Sequence, residues 1–259
     1  MAIITLTTDL GDKDIYLAAL KGSIFKLLPT VNVVDISNNI APFNVQQAAF
    51  ILKNSFHYFP ESTVHLIGID TVFSNSTRYL AVKYRNHYFV GADNGIFSLM
   101  FNSEPDEIVE INIMQDLKFL HFPLADIFVR AATHLAQGGK LTEIGIPISD
   151  IEKKMNLQPV IDRNQIKGSV IYIDSFQNVI TNITKEFFNN IQRGRRFILY
   201  FKRNETINHL SWHYNEVPEG EKLCLFGISD HLEIAINKGN ASGLLGLNIG
   251  DSVMLDFEG

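Results

Sequence analysis

Residues 3–69 switch repeatedly between two hydrophobic rhythms, and that switching restricts the fold more than any other feature of the chain. Ile3-Ile4-Thr5-Leu6-Thr7-Thr8 is short, apolar and β-branched, so it predicts a buried strand. It breaks at Asp9-Leu10-Gly11-Asp12, a turn-forming cluster. Ile15, Tyr16, Ala19, Leu20, Ile24, Leu27 and Leu28 then recur at helical spacing until Pro29 stops them. Val31–Ile36 predicts a second strand. Val45–Phe56 predicts a second helix, with Ala48, Ala49, Ile51 and Leu52 toward the core, and Thr63–Ile69 a third strand. Strand, helix, strand, helix, strand predicts a mainly parallel sheet with helices on its faces. Ligands of such sheets sit beyond the carboxyl ends of the strands, and Asp9 and Asp70 both fall there.

Tyr79–Tyr84 and His87–Gly91 read as a hairpin across Arg85-Asn86. Ile127–Ala136 reads as a helix closed by Gln137-Gly138-Gly139. Residues 150–167 are polar, hold Pro159 and show little periodicity, so the linker is placed there. Strand-like segments dominate afterwards: Ser169–Ile173, Arg196–Phe201, Lys222–Phe226, Leu232–Ile236 and Ser252–Phe257. The expected architecture is an α/β domain over residues 1–160 and a smaller all-β, barrel-like domain over 161–259.

Composition removes several function classes. The chain has 259 residues, 22 Lys and Arg against 28 Asp and Glu, and a net charge of −6, so it lacks the positive field of a nucleic-acid binder. Cys224 is the only cysteine, which excludes an internal disulfide and a cysteine-rich zinc site and points to a reducing, cytoplasmic setting. No apolar run is long enough for a membrane span. There is no GxGxxG or P-loop to cradle a phosphate and no GxSxG elbow, and the eight histidines show no metal-ligand spacing, so a metal site would have to be assembled from residues distant in sequence.

Four polar clusters at strand ends remain. Thr8-Asp9-Leu10-Gly11 offers a carboxylate that can accept from a ribose diol or cap a helix. Gly91-Ala92-Asp93-Asn94-Gly95 carries the Asn-Gly signal of a tight loop. Ile173-Asp174-Ser175-Phe176-Gln177-Asn178-Val179-Ile180-Thr181-Asn182 packs hydrogen-bonding groups more densely than a turn requires. Leu232-Glu233-Ile234-Ala235-Ile236-Asn237-Lys238-Gly239-Asn240 is an alternating strand ending in amides, which suit the edge of a base.

In this order, these clusters resemble the S-adenosyl-L-methionine (SAM) hydroxide adenosyltransferase family, to which SAM-dependent fluorinating and chlorinating enzymes also belong. Asp14, Tyr16 and Lys21-Gly22 extend the first signature, and the likeness covers nearly the whole chain. The resemblance implies an α/β domain, a β-barrel domain and a homotrimer with SAM between neighbouring subunits. It implies that Asp9 holds the ribose hydroxyls and Phe43 packs on the adenosine. Asp174 would contact the methionine amino group, with Phe176 in the same loop and Ser229 at the methionine carboxylate. Asn178 would read the adenine edge, Tyr214 lie near the base, and Lys238, beside Asn237, contact adenine through its backbone. The implied chemistry is substitution at the ribose C5′. Its leaving group is a neutral thioether, so alignment and desolvation of the nucleophile suffice.

The water-handling positions depart from that pattern. Asp70 keeps the family aspartate, but Thr71-Val72-Phe73-Ser74 replaces the usual proline and glycines. The arginine position holds Thr77, with Arg78 one residue late; the histidine position holds Pro123, followed by Leu124. In an extended chain, His121 would share a face with Pro123 and supply an imidazole. Gln177 and Asp230 stand at family glycines. The expected activity is SAM hydrolysis to adenosine and methionine, with Asp70, His121 and Arg78 as catalytic candidates. The alternatives are a non-catalytic SAM or adenosine binder and adenosyl transfer to another nucleophile. Leu124 offers a halide no donor, which argues against halogenation.

Overall fold

A computed structural model describes residues 2–72, 77–202 and 205–258. The chain divides into two units, Met1–Met155 and Asn156–Gly259.

The first unit runs β1 (Ile3–Thr8), α1 (Ile15–Leu27), β2 (Asn32–Ser37), α2 (Val45–Lys53), β3 (Val64–Gly68), β4 (Tyr79–Tyr84), β5 (His87–Ala92), α3 (Ile96–Met100), β6 (Glu107–Ile111), α4 (Ile127–Ala136) and β7 (Gly145–Pro147). The predicted opening elements form, except that the second helix stops at Lys53 and Phe56 falls in a separate 3-10 turn, Phe56–Tyr58. Helix α1 ends ahead of Pro29, with Leu28 already out of helical geometry, as a residue before proline requires.

The strands form one sheet in the order β2-β1-β3-β5-β4-β6-β7. The pairs β1–β2, β1–β3 and β3–β5 are parallel, but β4–β5, β4–β6 and β6–β7 are antiparallel. The sheet is therefore mixed rather than mainly parallel. The reversal starts at the predicted hairpin, where Arg85 (φ 49°) and Asn86 (φ 63°) both adopt the left-handed conformation of a two-residue turn. A turn that short forces its strands antiparallel, and β6 and β7 continue the pattern.

Both faces of the sheet are covered. Leu20 and Ile24 of α1 and Phe128, Ala131 and Leu135 of α4 pack with Ile4, Leu6 and Leu66. Ala48, Ala49 and Leu52 of α2 and Phe97 and Met100 of α3 pack with Ile67, Leu80, Val82 and Phe89. Each fully buried Val, Leu, Ile, Phe or Met among these contributes about 1.5–3 kcal/mol relative to exposure. Strand β1 lies between β2 and β3, so the chain changes direction across the sheet there, and ligands of open α/β sheets bind beyond the strand ends at such a point.

The second unit runs β8 (Val160–Asp162), β9 (Gln165–Ile173), β10 (Val179–Thr184), α5 (Lys185–Gln192), β11 (Phe197–Phe201), β12 (Glu205–Ile207), β13 (Lys222–Phe226), β14 (His231–Ile236), α6 (Ala241–Leu245) and β15 (Ser252–Phe257). Residues 151–159 have no regular structure, while β8 and β9 form a hairpin within the stretch read as linker. The strand order is β12-β11-β15-β9-β10-β14-β13, with β8 on β9. The sheet curls so far that Leu210, just past β12, bridges Cys224 of β13. The result is nearly a barrel, but not all-β. Thr184 caps α5 by accepting from the Phe187 N–H at 3.2 Å, and Asn240 caps α6 through the Gly243 N–H at 2.6 Å. Phe188 of α5 plugs the core edge-on against Phe197 and Phe226. Cys224 is fully buried, with Sγ 3.3 Å from the His209 carbonyl.

Candidate functional site

In the first unit the candidate residues gather where β1 and β3 end. Thr8 lies opposite Gly68 in the parallel ladder, and the Asp9 N–H donates to the Gly68 carbonyl at 3.3 Å. The N-cap of α1 is Asp14, so Asp9 is not spent on capping. Asp9 Oδ2 accepts from the Phe43 N–H at 2.9 Å. Phe43 sits at φ 63° and is 65% exposed, an aromatic face held open in a conformation that a β-carbon disfavours.

Asp70 is exposed and left-handed (φ 46°), two residues beyond β3. The Asn94 side chain explains the turn. Its Nδ2 donates to the Ile69 carbonyl at 2.9 Å, while its Oδ1 accepts from the Ile96 N–H at 3.3 Å. Gly95 (φ 90°) then starts α3. The Asp-Asn-Gly cluster is thus a tight loop, and that loop anchors the backbone beside Asp70.

Arg78 is held between two carboxylates. Nε donates to Asp93 Oδ2 at 3.0 Å, Nη2 donates to the same oxygen at 2.5 Å, and Nη1 reaches Asp150 at 3.2 Å. Asp93 Oδ1 accepts from the Glu152 N–H at 2.8 Å. The Thr77 hydroxyl donates to the Val72 carbonyl at 3.2 Å. Phe73 and Ser74 lie outside the described residues.

The segment before α4 is not extended, contrary to the reading that put His121 and Pro123 on one face. Leu117–Phe119 and Pro123–Ala125 are short 3-10 turns. Asp116 caps the first through the Lys118 N–H, and Asp126 holds the base of the segment by accepting from the Asp116 N–H at 2.8 Å. His121 is exposed between the turns, and among the described residues no hydrogen bond joins it to Asp70. Pro123 and Leu124 point inward. A β-carbon on Gly68 would meet Leu124 Cδ2 at 2.8 Å, so Leu124 packs directly beneath the β3 end. Phe122 meets Tyr16 of α1 edge-on at 5.4 Å.

In the second unit a cavity of about 950 Å³ is lined by Asp174, Phe176, Asn178, Tyr214, Lys238 and others. Asp174 folds back on its own turn. Its Oδ1 accepts from the Asn178 N–H at 2.8 Å and its Oδ2 from Asn178 Nδ2 at 3.0 Å. Gln177 takes φ 68°, a left-handed geometry that glycine adopts most easily, and Asp230 does the same at φ 55°. Lys238 lines the cavity, is also left-handed (φ 55°), and pairs its ammonium with Glu219. Asn237 does not line the cavity. Its Nδ2 donates to the Val217 carbonyl at 2.7 Å and steadies the loop before β13. Ser229 lies in the β13–β14 loop, with its Oγ buried and, among the described residues, unpartnered.

Several cavity residues have no counterpart among the candidates read from sequence. Trp212, Phe226 and Ile228 add apolar wall. Glu233 is the least expected. It is 6% exposed, its Oε2 accepts from the Tyr214 hydroxyl at 2.9 Å, and a β-carbon on Gly227 would meet its Oε1 at 1.7 Å. Burial, reinforced by Asp174, raises its carboxyl above the usual carboxylate range, while the Tyr214 hydroxyl works the other way. The Tyr214 phenol is pushed up by burial first and by Glu233 second.

Residues 4–145 match the SAM hydroxide adenosyltransferase N-terminal domain, and residues 168–254 match the C-terminal domain of the same family. A protein named (R)-S-adenosyl-L-methionine hydrolase from Methanocaldococcus jannaschii is 27% identical over 98% of this chain and 96% of its own length. One of the same name from Thermus thermophilus is 29% identical over 96% of this chain and 97% of its own. The crystal structure of an uncharacterised conserved protein from Thermotoga maritima aligns with a TM-score of 0.88 at 28% identity, covering 98% of this chain and 99% of that one.

Proposed function

The chain belongs to the SAM hydroxide adenosyltransferase family, and from that membership we propose that it hydrolyses SAM to adenosine and L-methionine. The proteins named SAM hydrolase that align over nearly its whole length support this reading. Water attacks the ribose C5′, the bond from C5′ to the sulfonium sulfur breaks, and the electron pair leaves on sulfur as a neutral thioether. The water oxygen becomes the 5′-hydroxyl, and one proton passes to solvent. No cofactor enters this balance.

The observation that carries the proposal is the adjacency of Asp9 and Asp70, one beyond each of two neighbouring parallel strands. Asp9 takes the ribose diol with its remaining acceptor capacity, and Phe43 covers the nucleoside. Asp70 accepts a hydrogen bond from the attacking water, with His121 assisting. Arg78 acts at one remove, by fixing Asp93. In the cavity of the second unit, Asp174 and Ser229 take the amino and carboxylate ends of methionine, Phe176 covers them, and Asn178, Tyr214 and the Lys238 backbone take adenine. Asn237 supports that wall. The working object is a homotrimer in the cytoplasm, each site shared by the α/β domain of one subunit and the barrel-like domain of its neighbour. Among the described residues no helix is long and apolar enough to cross a membrane.

One observation favours a second reading, a SAM or adenosine binder without turnover. Neither position expected to hold a water-handling arginine or histidine offers a free donor: the Thr77 hydroxyl is turned onto Val72, and Pro123 is buried. The deciding experiment incubates the purified protein at high concentration with SAM and separates the products by chromatography. Adenosine should accumulate with the wild type and not with Asp9→Ala. Saturable binding without adenosine selects the second reading.

A further inference from the structure

Glu233 belongs to the alternating strand β14, yet its carboxylate lies inside the cavity wall rather than in solvent. A buried carboxylate is expensive unless it is hydrogen-bonded. Here Oε2 takes the Tyr214 hydroxyl at 2.9 Å, and Gly227 leaves the room that Oε1 needs, since a β-carbon there would lie at 1.7 Å. Two separate positions, 214 and 227, are thus fitted to one acid.

Tyr214 needs such a partner. It starts a one-turn 3-10 segment in the loop between β12 and β13. The rest of the loop is pinned elsewhere: the Ser211 N–H donates to the Cys224 carbonyl at 2.8 Å, the Trp212 N–H to Glu216 at 3.0 Å, and Asn237 Nδ2 to the Val217 carbonyl at 2.7 Å. Tyr214 is 41% exposed and lines the cavity, with the Glu233 bond as its hydrogen-bonded anchor.

We infer that Glu233 is a positioning residue for nucleoside binding: as an acceptor on β14, it fixes the ring of Tyr214 as one wall of the cavity. The inference rests on the reading that this cavity takes the adenosine part of the ligand. The carboxylate acts through Tyr214, so an acceptor oxygen is what matters. Its loss should weaken binding of the base without altering the step at C5′.

Trp212 is the only tryptophan of the chain and lines the same cavity, so its emission reports occupancy. The test is a fluorescence titration of the full-length protein with adenosine. Glu233→Leu should raise Kd about tenfold, the scale of one hydrogen bond to a charged group. Tyr214→Phe keeps the ring and should reproduce that loss. The double variant should bind no worse than the weaker single one, because both remove the same bond. Glu233→Gln retains an acceptor and should restore Kd to within about threefold of the wild type. With SAM, Glu233→Leu and Tyr214→Phe should raise KM and leave kcat within about twofold. If Glu233→Leu fails to fold, Tyr214→Phe and Glu233→Gln still decide. Wild-type affinity in Glu233→Leu or Tyr214→Phe, no rescue by Gln, or additive losses in the double variant overturn the inference and leave the function intact. A wild-type protein that binds neither adenosine nor SAM overturns both.

Discussion

The Phe43 amide donates to Asp9 Oδ2, so the carboxylate that ends β1 also holds an aromatic residue in a left-handed conformation on the neighbouring loop. That double duty separates two substitutions. Asp9→Asn keeps an acceptor for Phe43 and should melt like the wild type. It loses the charge-assisted bonds to a diol, so its affinity for adenosine should fall about tenfold. Asp9→Ala should lose adenosine formation and about 1–2 kcal/mol of stability as well. Calorimetric titration and thermal melts of both variants check this, and equal melting of the two would deny Asp9 its structural part.

Asp70 should affect rate more than binding. Asp70→Asn tolerates the φ of 46° but carries no charge. Adenosine formation should drop about a hundredfold or more, with the Kd for adenosine unchanged. Asn94→Ala frees the Ile69 carbonyl beside Asp70 and should show a smaller loss of the same kind. Unchanged single-turnover rates in Asp70→Asn would remove Asp70 from the reaction.

Arg78→Ala should destabilise before it deactivates. The Asp93 side chain is 2% exposed and receives two donors from Arg78, so losing them leaves a buried carboxylate whose remaining bond, among the described residues, comes from Glu152. The expected cost is about 2 kcal/mol. Urea denaturation alongside the rate of SAM hydrolysis separates the roles. A large rate loss at unchanged stability would make Arg78 a direct participant.

Acid should weaken the fold through His65. Its Nδ1 lies 2.7 Å from the Thr5 hydroxyl and its Nε2 3.2 Å from His87 Nδ1, fully buried against Phe89. Burial first, and His87 second, hold the His65 pKa down to about 3. The unfolded chain takes up a proton near the ordinary value of about 6.5, the folded one only near 3, so the unfolded state binds more protons in between. Stability should therefore fall as pH drops from about 6.5 toward 3. His65→Gln keeps hydrogen-bonding groups without that titration, and its melting temperature should fall less over the same range. Parallel curves for the two proteins would contradict this.

The sequence was most informative where one rhythm decides the outcome. Strand β1, helix α1 and the Arg85-Asn86 turn follow from apolar spacing, a proline and a two-residue loop, all local signals. What escaped depends on tertiary contacts. The run around Thr181 and Asn182 looked like a polar cluster, but the Thr181 hydroxyl is buried on the Leu232 carbonyl and the segment is strand β10. The alternation of β14 does not say which way Glu233 faces, and only Tyr214 and Gly227, distant in sequence, show that it faces inward. The turns around His121 had local signals in Asp116 and Pro123, a cap and a helix-starting proline, which the extended reading passed over.

Cys224 has a practical consequence. Burial pushes its thiol up to about 12, and its side chain is inaccessible in the folded chain. No other thiol competes with it. A thiol reagent therefore reacts only when the strands around β13 part, and the labelling rate becomes a clock for opening of the second unit alone. Measured with and without adenosine, that clock would show whether the ligand holds those strands closed, independently of any turnover.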